Sequence, residues 1–234
     1  MDLPLVLLPG SLCDSRLFQS QVDYFSSMGE VLVADFAGHD SIKSMAAVTL
    51  TKLPDKFSLV GLSMGGIVAL EMVKQAPNRV QKLGLFATNP SAESNEGRLS
   101  RDRQMSKISQ GGVDELVVFV KDSLIPNYNI RTDQSEIVQA IVLDMALQLG
   151  PKDFLNQWKA LKNRSDSWSS LANIRCSTLL ISGTNDAICN TEMHHEISSK
   201  VQNAQLKIIK GAGHLSTMDS PILINQILDE WLNS

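Results

Sequence analysis

Six short apolar runs recur along the chain, at residues 3–8, 31–34, 57–60, 83–87, 177–181 and 206–209, most of them stopped by Gly, Asn, Asp or Ser. They are nearly continuous rather than alternating, which suits strands covered on both faces. Helix-like stretches stand between them, at residues 18–28, 65–75, 192–200 and 221–231. In the last of these, Leu223, Ile227, Leu228 and Trp231 keep the spacing of an amphipathic helix. Strands alternating with helices predict an α/β fold with a mostly parallel, doubly wound sheet of about six strands. A chain of 234 residues can bury a full core, and one such unit accounts for it.

One interval breaks the alternation. From residue 89 to 165 the pattern is helical only, near 97–109, 113–124, 133–148 and 151–162, with Gly111-Gly112, Pro126-Asn127 and Gly150-Pro151 as breakers. A helical block inserted after the fourth predicted strand is most simply a lid over the carboxyl edge of the sheet. The expected division is therefore a core of residues 1–88 and 166–234 and a lid of residues 89–165. The lid holds ten basic and ten acidic residues, so the net charge of -4, from 21 Lys+Arg against 25 Asp+Glu, resides in the core. No basic excess exists to attract nucleic acid, and no charge block suggests a membrane surface. Three cysteines, Cys13, Cys176 and Cys189, are too few for a disulfide framework, and they lack the CxxC spacing of a zinc site. Met1-Asp2 leads into a strand-sized apolar run closed by Pro9-Gly10, unlike a secretory leader, and no run approaches the roughly 18 apolar residues of a membrane span. A reducing cytoplasm is the expected setting.

The sharpest local signal is Gly61-Leu62-Ser63-Met64-Gly65, with an apolar strand before it and an apolar helix after it. A serine there sits on a very tight strand-to-helix turn that presents its hydroxyl above the sheet, and the flanking glycines relieve backbone crowding. The helix N-terminus adds amides that favour developing negative charge. Of the four histidines, His214 follows the last strand-like run within Gly211-Ala212-Gly213-His214-Leu215, where a loop can hang an imidazole over Ser63. His194 and His195 fall in a helix-like stretch and are expected to be solvated or half-buried. Asp186 closes Ser182-Gly183-Thr184-Asn185-Asp186 after the fifth run, in place to hold an imidazole in one tautomer. Asp166 and Asp219 follow no strand directly, and Glu93 is the spare acid. Acyl transfer also needs two donors for an oxyanion. Met64 N–H supplies one and the loop after the first strand the other, through the amide of Ser11 or, less favourably, Leu12.

Taken together, Leu7-Leu8-Pro9-Gly10, Asp35-Phe36-Ala37-Gly38-His39-Asp40-Ser41, Gly61-Leu62-Ser63-Met64-Gly65-Gly66, Gly183-Thr184-Asn185-Asp186 and Gly213-His214 resemble the α/β-hydrolase family in its small, lid-bearing branch. The resemblance spans the core at both ends; the lid agrees only in position and helical character. It implies a Ser63–His214–Asp186 triad, an oxyanion hole of Ser11 and Met64, and a structural role for His39. Two departures stand out: Pro9-Gly10 replaces the frequent His-Gly, and Ser11 is small where a bulky residue is common. The chain also starts at its first parallel strand, without the hairpin many members carry.

The chemistry this implies is two-step acyl transfer to water on a small-molecule ester or lactone, with no cofactor and no metal. Leu12, Met105, Phe119, Trp158 and Leu215 are expected to line an apolar acyl pocket, although lid residues of this kind more often glue helices to the core. Arg98, Arg101, Arg103 and Lys107 form a basic stripe, read first as a solvated face and second as a contact for a carboxylate or an acyl-carrier partner, as in the similar pimeloyl-ester carboxylesterases. An acyltransferase or synthase, a carbon–carbon bond hydrolase, or a non-catalytic small-molecule receptor are the competing readings.

Overall fold

The computed structural model describes every residue except Arg131. Its strands β1 (Leu5–Leu8), β2 (Val31–Val33), β3 (Phe57–Leu62), β4 (Val80–Phe86), β5 (Ser177–Gly183) and β6 (Ala204–Ile209) form one sheet in the order β2-β1-β3-β4-β5-β6, parallel at every pairing. Successive side chains of a strand point to opposite faces, which sorts the apolar runs into two layers. Leu5 and Leu7 of β1 join Val60, Phe86, Leu179 and Ile181 on one face, beneath α1 (Gln19–Phe25) and α10 (Pro221–Leu232). Val6 and Leu8 join Leu59, Leu83, Leu85 and Leu180 on the other, beneath α2 (Ile42–Thr51), α3 (Met64–Gln75) and α8 (Thr191–Lys200). The doubly wound sheet expected from the runs is the observed one.

Three local differences have physical reasons. β4 begins three residues before its apolar run, because the Lys82 ammonium escapes burial by donating to the carbonyl of Trp231 at 2.6 Å. In α10 the inward stripe is Ile224, Leu228 and Trp231, while Leu223 is exposed, so the predicted stripe is one position out of phase at its start. Helix α2 escapes the pattern because it is short and rich in Ser, Thr and Val; it is held by the Ser41 hydroxyl, which accepts the Ser44 N–H, and by burial of Met45 and Ala46.

Between β4 and β5 the chain is helical: α4 (Asn95–Phe119), a π turn (Val120–Leu124), α5 (Ile125–Tyr128), α6 (Ser135–Lys162) and the short α7 (Trp168–Leu171). The glycine breakers interrupt both long spans as expected: Gly112 within α4 at φ 61° and Gly150 within α6 at φ 74° have non-helical backbone, so each span is two helices that meet at a kink. The two stems of the insertion meet, since Ser167 N–H donates to Pro90 O and Arg164 Nε to Ser91 O, both at 2.8 Å. After β6 comes α9 (Ser216–Asp219). Strand order reverses between β1 and β3, which opens a crevice beyond their carboxyl ends. Among the described residues no helix is long and apolar enough to cross a membrane.

Candidate active site

Ser63 lies in that crevice, between the end of β3 and the first residue of α3, at φ 55° and ψ -117°. Its N–H donates to Phe86 O at 2.9 Å, and its carbonyl accepts the Thr88 hydroxyl at 2.8 Å, so the turn is tied to the next strand. The turn closes only because its neighbours lack side chains. A Cβ on Gly61 would stand 2.3 Å from Gly65 O, and one on Gly65 would stand 1.9 Å from Leu8 O.

His214 reaches Ser63 from the loop after β6. Its Nε2 is 2.9 Å from Ser63 Oγ, and its Nδ1 is 3.0 Å from each carboxylate oxygen of Asp186. The network assigns the tautomer: Nδ1–H donates to the carboxylate, and Nε2 accepts from the serine hydroxyl. Asp186 lies just past β5, and its Oδ1 also accepts the N–H groups of Ile188 at 2.8 Å and Cys189 at 2.9 Å. Burial works to raise the Asp186 carboxyl, but the hydrogen bond and charge of His214, with those two amides, outweigh it and hold the group below the usual carboxylate range. It is therefore ionised at neutral pH.

Ser11, Ser63, Met64 and His214 line one cavity of about 160 Å³. Leu12, at φ 57°, directs its own N–H to Oε1 of the buried Gln157 at 2.8 Å, which leaves the Ser11 amide as the donor on that loop. Neither the Ser11 nor the Met64 N–H is hydrogen-bonded among the described residues. Two free amides beside a serine–imidazole–carboxylate chain can stabilise an oxyanion formed on attack by Ser63.

The rival groups lie elsewhere. Glu93 is bound by Arg101 and Arg164, the Asp166 carboxylate accepts Trp168 N–H at the start of α7, and Asp219 accepts Gly213 N–H at 2.7 Å. His39 is half-buried away from the cavity. His195 is exposed, but His194 is fully buried, contrary to expectation. Burial pulls the His194 imidazole down to its neutral form, in which Nε2 accepts Thr88 N–H at 3.3 Å and Nδ1–H donates to Asn190 O at 3.0 Å. That residue braces the strand end that holds the Ser63 carbonyl.

Of the residues expected to line an acyl pocket, Trp158 lines the cavity that holds Ser63. Phe119 lines an adjoining outer groove, in edge contact with Trp158. Leu12, Leu215 and Met105 are corrections in that they do not line this cavity: the first two are buried in the core, and Met105 packs against the same apolar cluster. The basic stripe also divides. Arg98, Arg103 and Lys107 are exposed, whereas Arg101 turns into the cavity wall. Sequence reasoning missed Tyr128, whose carbonyl accepts His214 N–H at 2.9 Å and whose ring stacks on the imidazole at 5.3 Å. It also missed Gln157 and Arg164. No local pattern sets them apart from Asn156, Lys159 and Lys162 beside them.

A sequence model described as serine aminopeptidase, S33 matches residues 24–221. A pimeloyl-(acyl-carrier protein) methyl ester esterase of Pectobacterium atrosepticum is 24% identical over 233 residues, 93% of this chain and 89% of that protein. An (E)-2-((N-methylformamido)methylene)succinate hydrolase of Acinetobacter baylyi is 20% identical, with 99% and 90% covered. Among solved structures, a thermophilic esterase of Thermogutta terrifontis superposes with a TM-score of 0.88 at 24% identity, covering 100% of this chain and 90% of the other.

Proposed function

The chain belongs to the serine aminopeptidase S33 family of α/β hydrolases, and from that premise we propose that it cleaves a carboxylic ester or lactone of a small to medium acyl group through an acyl intermediate on Ser63. The observation that carries this reading is the unbroken series Ser63 Oγ, His214 and Asp186, at 2.9 and 3.0 Å, with the serine at the mouth of the α3 N-terminus. Ser63 Oγ attacks the substrate carbonyl as His214 Nε2 takes its proton, and the Asp186 carboxylate steadies the imidazolium. The N–H groups of Ser11 and Met64 receive the oxyanion. His214 returns the proton to the leaving alkoxide, and water, activated by the same nitrogen, releases the acid and restores Ser63.

One relative is named for a methyl ester borne by an acyl-carrier protein and another for a substituted succinate, which supports a hydrolase without choosing its substrate. The helices of residues 89–165 act as the lid that shapes the pocket, over a core of residues 1–88 and 166–234. A fluorophosphonate probe is expected to label the wild-type protein covalently and to leave Ser63→Ala unlabelled, with p-nitrophenyl acetate turnover lost in the same variant. Equal labelling of the two proteins would exclude Ser63 as the nucleophile.

A further inference from the structure

The wall of the catalytic cavity carries two arginines, Arg101 from α4 and Arg164 from the end of the insertion. Both meet a single carboxylate: Glu93 Oε2 receives Arg101 Nε at 2.7 Å and Arg164 Nη1 at 2.9 Å. Arg164 is the more enclosed of the two, with 7% of its side chain exposed, and also donates to the carbonyls of Ser91 and Leu161. One carboxylate thus faces two guanidinium groups, so the cluster keeps one surplus positive charge, and Arg101 is its less enclosed member. Its Nη groups donate to no protein acceptor among the described residues.

The guanidinium of Arg101 lies 5.2 Å over the Trp158 ring, which fixes its plane. It lines both the cavity that holds Ser63 and the outer groove that adjoins it. The remaining wall is largely apolar, from Leu124, Trp158, Leu161 and Ile188, so a charge there is poorly screened. A planar fork with two free donors matches a carboxylate better than any neutral group.

We propose that Arg101 is the recognition residue for a carboxylate carried by the substrate itself, which makes the preferred substrates esters with a second, free carboxylate. This inference rests on Ser63 being the nucleophile of the same cavity. The test compares p-nitrophenyl hydrogen glutarate with p-nitrophenyl valerate, a neutral ester of equal chain length. Wild type is expected to favour the glutarate ester in kcat/KM. Arg101→Gln, which leaves Glu93 paired with Arg164, is expected to lower that preference by about ten- to a hundredfold, the range of one charge-assisted hydrogen bond. Arg101→Lys should keep part of it, and Arg103→Gln, an exposed position on the same helix, should keep all of it.

An unchanged preference in a folded Arg101→Gln, or a wild type that favours valerate, overturns the proposal. Titration calorimetry with free glutarate separates it from the acyl-serine reading. If neither ester is turned over and no fluorophosphonate reacts, the Ser63 reading fails. In that case glutarate binding to wild type that is lost in Arg101→Gln still upholds the anion site, and no binding to wild type overturns it.

Discussion

Of the four described non-glycine residues at positive φ, two belong to the turns that carry the cavity's Ser63 and Ser11, namely Ser63 itself at 55° and Leu12 at 57°. Such conformations cost on the order of 1–3 kcal/mol each and persist only where neighbours hold them. Ser63 is held by the Gly61–Gly65 close approach and by bonds to Phe86 and Thr88. Leu12 depends on a partner far along the chain, the buried Oε1 of Gln157 at 2.8 Å. That bond holds the loop that brings Ser11 into the cavity wall, and on the proposed mechanism it makes Gln157 a positioning residue for the Ser11 N–H. Gln157→Leu leaves the Leu12 N–H buried and unpaired, a loss of about 1–3 kcal/mol. The expected outcome is a lower Tm together with a kcat on p-nitrophenyl acetate reduced about tenfold, equivalent to about 1.4 kcal/mol at the transition state, and a KM little changed. A lower Tm with kcat intact would restrict Gln157 to stability.

At the scale of elements, the insertion is closed by ion pairing rather than by apolar contact alone. Glu93 in the entering stem binds Arg101 of α4 and Arg164 of the leaving stem, and its side chain is only 13% exposed. Burial works to raise the Glu93 carboxyl, but the hydrogen bonds and charges of the two arginines outweigh it and leave it below the usual range. A carboxyl depressed in the folded state stabilises fully above its unfolded value of about 4.3. That stabilisation drains away as the pH falls through the lower folded value. Glu93→Gln keeps the shape and strands two guanidinium groups, a change that costs about 3 kcal/mol in buried pairs. Urea unfolding should show that deficit near pH 7 and a shrinking difference between the two proteins below about pH 4. A deficit independent of pH would assign it to packing. The same cluster explains why Glu93, the spare acid on sequence grounds, cannot serve His214.

Over the whole molecule, what was legible in the sequence lies where local pattern and parallel register coincide. Ser63, Asp186 and His214 each follow a strand, and a parallel sheet brings all such turns to one edge. The supports of that site were not legible, because the insertion delivers them across long stretches of chain. Gln157 meets Leu12 145 residues away, Arg164 meets Glu93 71 residues away, and the Tyr128 carbonyl holds the His214 amide. No periodicity records contacts of that kind, which is also why Leu12, Leu215 and Met105 were misplaced. These contacts argue that the helical block between β4 and β5 is not a unit in its own right. Ile108, Leu116, Val142 and Phe154 of the insertion share one apolar cluster with Leu5, Leu7, Leu62 and Phe86 of the sheet. If this helical block melted first, it would expose that cluster and release His214 and Leu12 together, which couples its unfolding to that of the sheet. Scanning calorimetry is therefore expected to give a single transition whose calorimetric and van't Hoff enthalpies agree, with p-nitrophenyl acetate hydrolysis lost over the same temperature range. Two resolved transitions, with activity lost in the first, would instead make residues 89–165 an independently folding lid.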